Sequence, residues 1–451
     1  MSWKTFFGAC GVLLLASCAC FAVLWWYRSR PRDSVTIHWN TVYQTIDGFG
    51  ASATGYVGNM PSSQASRFFD PQSGLGLSLL RLAIIPTTDN EGCRCVSNSA
   101  GYKCVANGKS QLLSGDLQVA QLAAAHGVQL LAAPWSPPAE MKSSGNFCGG
   151  GAMKGNAANY ADYASRLAAF PELLKEHGLA IDSLSVQNEP DIENEAYDTC
   201  RWSGRQIHDF IPYLSTALRS AGFGGVKIAA PEESEWTFDL LGPLMKDPEV
   251  ANKIGLITGH AYRTEKPSGL PETNGLHIWQ TEASDYDKFD GSIRDGVKWA
   301  RYIHNYLAIG TNAWLFWSLD CSPDLYNKDN NMCLTDRDGH FAKRAYVLGQ
   351  YSRFVRPGWE RIGVSNRGEL LITAFKGPAN RFAIVAVNGS AWPVRKQTFE
   401  LSGGKLSSQV TPWITTRTAS LEKQLAISAT GTDFVYTIPA LSVVTFEGQL
   451  E

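Results

Sequence analysis

Two glutamates are the first candidates for chemistry in this sequence. Glu189 follows the apolar run 183–187 within Asn188-Glu189-Pro190, and Glu282 closes the run 277–282. Two facing carboxyl groups can hydrolyse an acetal, because one attacks carbon or activates water while the other transfers a proton. A helix cap or a loop acid is the plain alternative for either residue alone. We expect both to face one pocket and to act together.

Other reactive or flat side chains stand at comparable places, just after short apolar runs. Arg81 is expected to pair with Glu282 and keep it ionised, and Tyr262 to bond either Glu282 or a structural partner. Trp135 and Trp317 are candidate sugar platforms, with core packing at the rim as the alternative. The candidates for substrate contact are Arg81, Trp135, Asn188, His260, Tyr262, Trp317 and Tyr326. For His260 a structural role is the leading interpretation.

Eight apolar runs must position these side chains. They end near Gly50, Leu82, Ala132, Gln187, Ala230, Gly259, Gln280 and Trp317. Most are separated by enough chain for a loop and a crossover helix, and the clearest helical periods cover residues 116–126, 159–177 and 292–308. Repeated βα units predict an α/β fold, a closed (β/α)8 TIM barrel, over residues 47–355. Reactive residues of such barrels cluster where the strands end.

A different pattern surrounds the barrel. After Pro357, strand-like runs at 370–375, 382–388, 410–415, 434–438 and 442–446 lack any helical period. They predict a small side β-sandwich domain over residues 356–451, which the strand-like segment 34–46 is expected to join. After the predicted fifth barrel strand, Glu232, Glu233 and Glu235 read as a solvated acidic loop.

The N-terminal residues 1–33 form a signal or membrane-anchor segment. Residues 5–27 carry no charge and, at about 1.5 Å per residue, are long enough to cross a bilayer. A retained anchor, a lipoprotein signal at 15–18 and a cleaved signal all stay open. Seven cysteines beyond it fall in predicted loops and favour disulfides in an extracytoplasmic compartment. We expect the bridges Cys148–Cys200 and Cys321–Cys333, with Cys104 bonded to Cys93 or Cys95.

Composition excludes several classes of function. The 451 residues are 44% hydrophobic and 18% charged, with a formal net charge of -2, typical of a globular protein with a large core. No basic block in the folded part suggests a nucleic-acid partner. No metal-binding or phosphate-binding motif is present, so we predict no metal, no cofactor, a monomer, and membrane contact only through the N-terminal segment.

Several ordered motifs resemble glycoside hydrolase family 30. They are Asp47-Gly-Phe-Gly-Ala51, Gly74-Leu-Gly-Leu-Ser-Leu-Leu-Arg-Leu82, Ala133-Pro-Trp-Ser-Pro-Pro138, Ser185-Val-Gln-Asn-Glu-Pro-Asp191, Gly259-His-Ala-Tyr262, Thr281-Glu282 and Phe354-Val-Arg-Pro-Gly358. The resemblance spans nearly all of the chain after the N-terminal segment. It implies a retaining β-glycosidase with Glu189 as acid/base and Glu282 as nucleophile. In the free enzyme we expect Glu282 ionised and Glu189 protonated.

The substrate is expected to be a β-linked polysaccharide of xylan type, because the segments around Tyr197 and Tyr346 are similar to the xylan-cleaving branches. Loop 318–327 carries Asp320 and Asp324 and no arginine, so an acidic side group would be repelled. A β-1,6-glucanase or galactanase and a glucosylceramidase-like hydrolase stay open. An inactive carbohydrate-binding scaffold would require the loss of Glu189 or Glu282, and both are present.

Overall fold

The computed structural model describes residues 34–53, 60–84, 93–98, 101–106, 114–194, 197–320, 330–365 and 367–451. Among these residues, no helix combines the length and the apolar character needed to cross a bilayer. The anchor or signal expected at residues 5–27, together with Asp324, Tyr326 and Cys321, lies outside the described residues and stays a prediction.

Strands account for most of the described architecture. In chain order they are β1 (Val35–Ile46), β2 (Gly48–Ser52), β3 (Leu79–Ile84), β4 (Cys93–Asn98), β5 (Gly101–Ala106), β6 (Gln129–Pro134), β7 (Ser183–Ser185), β8 (Lys227–Glu233), β9 (Ile254–His260), β10 (Ile278–Glu282), β11 (Ala313–Phe316), β12 (Trp359–Ser365), β13 (Leu371–Lys376), β14 (Arg381–Asn388), β15 (Val394–Ser402), β16 (Gln409–Thr415), β17 (Glu422–Lys423), β18 (Ile427–Ser428), β19 (Asp433–Ile438) and β20 (Ser442–Gln449).

Eight parallel strands close into a barrel in the order β2-β3-β6-β7-β8-β9-β10-β11, which confirms the predicted fold class. The barrel interior is filled by apolar side chains, listed here by strand: Leu79, Leu131, Ala229, Leu256, Trp279, Ala313 and Leu315. Side chains two residues apart on a strand share a face, so Leu79 in the core places Arg81 on the same inner side, closer to the open end. Polar side chains thus lie at the C-terminal ends of the barrel strands, directly above the apolar barrel interior.

Helices return the chain from one barrel strand to the next. They are Ser62–Phe69, Ser114–Ala124, Ala157–Glu176, Gly204–Ser220, Leu241–Lys246, Pro248–Ala251, Ile293–Ile309 and Lys343–Ser352. Local sequence sets their ends. Ser203 and Gln206 form a capping box, the Ser292 hydroxyl accepts from the Arg294 amide, and Gly310 ends its helix at a φ of 111° that favours glycine.

The side domain is one curled, ten-stranded mixed sheet. Its order is β17-β16-β20-β14-β13-β12-β1-β15-β19, with β18 paired to β16. The N-terminal strand β1 runs antiparallel to β12 and parallel to β15, so it lies inside this sheet. One face encloses an aromatic core that includes Phe399, Phe434 and Phe446. The other face packs on the barrel helices, where the Thr445 hydroxyl donates to the Gln350 carbonyl at 2.7 Å.

Three expectations about loops and cysteines are wrong. Cys93, Cys95 and Cys104 do not lie in loops, because β4 and β5 pair as an antiparallel hairpin. The Cys148–Cys200 bridge is wrong, since Cys200 is a fully buried free thiol while Cys148 is disulfide-bonded. Neighbouring rim loops do not by themselves bring two Cα atoms within the roughly 4.4–6.8 Å that a disulfide needs. Cys333 is also disulfide-bonded.

The third wrong expectation concerns the acidic loop after the fifth barrel strand. Glu232 and Glu233 belong to β8 and are fully buried. Glu233 accepts hydrogen bonds from the Thr237 hydroxyl at 2.6 Å and from the Leu240 amide at 2.7 Å, so it orders the following turn. Only Glu235 is partly exposed, and it accepts from the Arg263 amide at 3.0 Å.

Candidate active site

The open end of the barrel brings Glu189 and Glu282 together. Glu282 is the last residue of β10, and Glu189 follows β7. Each lends one carboxylate oxygen to a group of atoms that also contains a nitrogen of His260, and these atoms all lie within 4.8 Å of one another. Retaining glycosidases hold their carboxyl groups roughly 5–5.5 Å apart, whereas inverting enzymes need a gap of about 6.5–9.5 Å for a water molecule. The observed spacing fits retention.

Arg81 anchors the Glu282 side of the site. Its guanidinium is fully buried and lies 2.5 Å from Glu282 Oε2, 2.9 Å from Glu232 Oε1 and 2.6 Å from Asn188 Oδ1. Burial lowers the pKa of Arg81, but the charges of Glu282 and Glu232 raise it by a larger amount. The guanidinium is therefore always cationic. The Tyr262 hydroxyl donates a second hydrogen bond to Glu282. Both expected partners of Glu282 are therefore in contact with it.

Glu189 has its own pair of donors. The Tyr197 hydroxyl donates to Glu189 Oε2 at 2.5 Å, and His260 Nδ1 lies 3.2 Å from Glu189 Oε1. Burial of Tyr197 and the negative charge of Glu189 raise the pKa of that tyrosine, so it stays a donor. Tyr197 was not singled out as a site residue, because it lies in an irregular segment where sequence periodicity carries no signal.

Backbone geometry aims two of the carboxylates. Glu189 and Glu232 adopt positive φ values of 47° and 68°. Non-glycine residues are uncommon at positive φ, because this backbone conformation costs of order 1–3 kcal/mol for each residue. The Glu189 amide donates to the Glu232 carbonyl at 3.1 Å, which couples the two bends. Such strain is characteristic of functional sites and here turns both side chains toward the barrel mouth.

His260 is fully buried among three carboxylates. Besides Glu189, it contacts Glu232 Oε1 at 3.5 Å and Glu282 Oε1 at 3.9 Å. Burial lowers the pKa of His260, but the charge of Glu282 and the hydrogen bonds with Glu189 and Glu232 raise it to about 10. The ring is therefore an imidazolium at neutral pH.

Glu232 completes the charge balance. Burial raises the pKa of Glu232, but the Arg81 charge and the His260 hydrogen bond and charge lower it well below its usual range, and the Ser185 hydroxyl donates to it at 2.7 Å. Two fixed cations, Arg81 and His260, thus face one fixed anion and the pair Glu189–Glu282. One proton shared by that pair makes the cluster neutral.

Opposing effects act on the pKa of each carboxyl group of the pair. Burial raises the pKa of Glu282, and the charge of Glu189 raises it further against the opposing charges of His260 and Arg81. Burial also raises the pKa of Glu189, but the hydrogen bond and charge of His260 and the hydrogen bond from Tyr197 lower it below its ordinary value. The charge of His260 therefore favours the ionised form of both carboxylates, and this charge was not foreseen from sequence.

The other residues predicted to contact substrate differ in exposure and in the neighbours they pack on. Trp135 and Trp317 pack on each other at 5.9 Å between ring centroids and are only 5% and 6% exposed, so they form the wall of the mouth. Asn188 is buried, and its side-chain nitrogen makes no hydrogen bond to the described residues, which leaves a donor for a sugar hydroxyl. Tyr286, also not foreseen, stacks on Tyr262 at 5.7 Å and is 69% exposed.

A second acidic group lies away from the pair. Asp336, Asp338 and His340 bring ligand atoms within 4.8 Å of one another on a turn. The Asp336 carboxylate already accepts from the Asp338 and His340 amides at 2.9 and 2.8 Å. These bonds account for the turn without an ion.

A buried carboxylate pair with this spacing at the C-terminal end of a TIM barrel is the arrangement that a retaining glycosidase requires. Residues 107–320 match the glycosyl hydrolase family 30 TIM-barrel domain. Glucuronoxylanase XynC of Bacillus subtilis (strain 168) is 29% identical over 92% of this chain and 91% of its own length. The chain belongs to glycoside hydrolase family 30.

Solved structures agree in fold. Xyn30A of Clostridium acetobutylicum, described as a family 30 subfamily 8 xylanase, has a TM-score of 0.78 and 29% identity, covering 92% of this chain and 99% of its own. The catalytic domain of xylanase C from Talaromyces cellulolyticus has a TM-score of 0.77 and 26% identity, covering 92% and 100%. A more distant relative by sequence is the lysosomal acid glucosylceramidase of Mus musculus. It is 24% identical over 58% of this chain and 57% of its own length.

Proposed function

We propose that this family 30 glycosidase cleaves β-linked polysaccharide of xylan type, acting as an endo-β-1,4-xylanase-like enzyme, with Glu282 as nucleophile and Glu189 as acid/base. The observation that carries the roles is the division of partners. Glu282 is held by a permanent cation, Arg81, and by the Tyr262 hydroxyl. Glu189 is held by the Tyr197 hydroxyl at 2.5 Å and by His260 at 3.2 Å, and not by the arginine.

The first step forms a bond from Glu282 to the anomeric carbon while the bond to the leaving sugar oxygen breaks. Glu189 delivers its proton to that oxygen. The glycosidic oxygen accepts a hydrogen bond only from protonated Glu189, so bound substrate favours the arrangement in which Glu189 carries the shared proton and Glu282 is ionised. Arg81 and Tyr262 then stabilise the attacking carboxylate until it becomes an ester.

The second step releases the sugar. Esterification removes the negative charge of Glu282. The pKa of Glu189 therefore falls, because a nearby negative charge no longer raises it. Glu189 takes a proton from water as the water oxygen attacks the anomeric carbon and Glu282 leaves as a carboxylate. Two inversions leave the β configuration unchanged, and the site returns to its starting protonation.

The xylan-type substrate is supported by relatives and by charge. The proteins named as glucuronoxylanase or xylanase align with 92% of this chain at 26–29% identity. In the mouth, Asp320 is fixed by Gln64 at 2.7 Å and by Thr335, so one acid of loop 318–327 is held in place. An acidic rim disfavours a uronate next to the cleaved bond, and a neutral xylan chain is the proposed preference.

The site of action is proposed to be extracytoplasmic, with the protein secreted or held by residues 5–27. Disulfide-bonded Cys148 and Cys333 support an oxidising compartment. A polysaccharide substrate is also found outside the cell membrane. Recovery of the full chain from fractionated cells, with thiol labelling of these two cysteines before and after reduction, tests the proposal.

The roles of the two glutamates are separable by experiment. Glu282→Ala should abolish turnover of every substrate. Glu189→Ala should still form the glycosyl-enzyme from an activated aryl β-xyloside, which needs no proton, and then stall; azide should rescue it as a β-glycosyl azide. Glu235→Ala removes a rim acid bonded to Arg263 and should leave kcat within about twofold of wild type.

The stereochemistry gives the sharpest outcome. NMR of the first-formed sugar should show the β-anomer from a β-linked chain. A first-formed α-anomer would overturn Glu282 as nucleophile. A screen of neutral xylan, β-1,6-glucan, β-1,6-galactan and glucosylceramide should show xylan cleaved fastest, and a faster rate on any other member would replace the substrate.

A further inference from the structure

A cavity of about 810 Å³ lies between the barrel and the side domain, remote from the two glutamates. Its volume is within the roughly 300–1,000 Å³ typical of ligand sites. Pro71 and Gln72 line it from the barrel side, just after the helix Ser62–Phe69 and before β3. That position is the N-terminal end of the barrel, whereas the glutamates lie at the C-terminal strand ends.

Four cationic side chains line this cavity, which we call the basic groove: Arg353, Arg356, Arg381 and Lys423. Arg381 and Lys423 are exposed, and the other two are half-buried. Within the part of the chain that the structure describes, none of the four lies within 4 Å of a carboxylate oxygen. Glu447 is the acid in the lining, and it accepts from Trp413 Nε1 at 3.0 Å.

The half-buried arginines hold their positions through backbone oxygens. Arg353 donates to the Gln72 carbonyl, and Arg356 donates to the Gly76 carbonyl and to the Ser352 carbonyl. These bonds fix the guanidinium groups without an ion pair within 4 Å, although the charges of Glu447 and Asp70 act on Arg353 from farther away. Burial accordingly lowers the pKa of both arginines. Buried charge is ordinarily paired, so unpaired cations around a cavity favour an anionic occupant.

The surroundings of two tryptophans in the groove indicate whether its ligand is a neutral sugar or an anion. Arg353 lies 4.5 Å and Lys423 5.6 Å from the Trp413 ring centroid, and Arg381 lies 5.4 Å from that of Trp359. A sugar ring stacks on a free aromatic face. Here cations occupy positions over the rings, so the aromatic groups orient charge instead of offering platforms.

We propose that the basic groove binds the carboxylates of a uronate-bearing xylan chain and tethers the enzyme to its polymer. The polymer identity rests on the proposed xylan function; the anionic class rests on the groove alone. A long chain can carry its charged side groups to the groove while a neutral stretch lies in the acidic mouth. Binding and cleavage would then select different parts of one polymer, at opposite ends of the barrel.

The test measures affinity in the full chain with Glu282→Gln, which prevents cleavage. The two probes are glucuronoxylan and the same polymer after carboxyl reduction, so only the charge differs. The unmodified groove should bind glucuronoxylan about tenfold more tightly. R381A/K423A should bring the ratio of the two affinities, glucuronoxylan over carboxyl-reduced polymer, to about one or below. R381K/K423R should restore this ratio. R395A/K396A removes two exposed charges of the same domain outside the groove and should keep the wild-type ratio.

Catalysis gives an independent readout. With wild-type Glu282, R381A/K423A should hydrolyse a short aryl xyloside at the wild-type rate and lose rate only on long, decorated polymer. An equal ratio in the wild-type groove, or an unchanged ratio in R381A/K423A, would overturn the proposal. Groove-dependent binding of polygalacturonate without glucuronoxylan would overturn the xylan assignment. Failure to cleave any xylan would instead contradict the proposed function.

Discussion

The protonated state of His260 is the most consequential electrostatic feature of the site. The ring lies 3.2 Å from a Glu189 oxygen and 3.9 Å from a Glu282 oxygen, with all three groups buried. We expect His260→Asn to remove the charge and keep an amide that can donate to Glu189. Loss of a cation disfavours both carboxylates, so the pKa of each must rise.

The magnitude follows from the distances. Unit charges 3.9 Å apart interact by about 4 kcal/mol at an effective dielectric constant near 20, equivalent to about 3 pKa units. Asparagine and entering water offset part of this, so shifts of about 1–3 units are expected. The acidic limb of kcat/KM needs Glu282 ionised, and the alkaline limb needs Glu189 protonated. Both limbs should therefore move to higher pH together.

The assay is the pH profile of kcat/KM on an aryl β-xyloside, with His208→Asn as the matched control. His208 also contacts two carboxylates, those of Asp209 at 2.8 Å and Asp247 at 2.9 Å, but outside the site. Its variant should leave the profile in place. If His260→Asn leaves both limbs unmoved, His260 is neutral and the charge balance derived for the site is wrong.

Three more predictions concern buried charge and substrate. Glu232→Gln should lower both kcat and the free energy of unfolding, because Arg81 loses one anion; unchanged urea unfolding and rate would contradict its role. Arg344→Met should cost about 3–5 kcal/mol of unfolding free energy by stranding Asp295, at 2.5 Å, with kcat preserved. At saturating substrate, where binding to the basic groove no longer limits the rate, neutral xylan should be cleaved at least as fast as the uronate-decorated polymer. An absolute requirement for the uronate would refute the acidic-rim argument at loop 318–327.

Much of the barrel is readable from sequence because its physical causes are local. Parallel strands buried on both sides need short apolar runs, and a switch to polar residues marks each end. The expected end near Ala132 is two residues from the observed Pro134, and that near Gln280 is two residues from Glu282. The same rule singled out Arg81 and Glu282, although Arg81 lies inside β3 and only Glu282 ends its strand.

The side domain shows where that rule stops. β15 carries Arg395, Lys396 and Glu400 on a strand that is half exposed, so it lacks the apolar run that β13, β14 and β20 show. It is fixed instead by pairing with β19 and, in parallel, with β1 from the other end of the chain. Contacts that distant in sequence leave no local pattern. The hairpin β4–β5 was missed for a different reason, because its contacts are local but its two short strands carry no continuous apolar run.

Glu232 shows why a site can be predicted while its electrostatics cannot. A glutamate followed by Glu233 and Glu235 has the local composition of a solvated loop, and solvated carboxylates ionise without help. Burial became possible only because Arg81, Ser185 and His260 arrive from three other strands to compensate its charge. Once Glu232 is a fixed anion, it holds the proton on His260, and His260 in turn lowers the pKa of Glu189. The pKa values of the pair therefore depend on residues from several separate strands, and no single segment of the sequence reveals them.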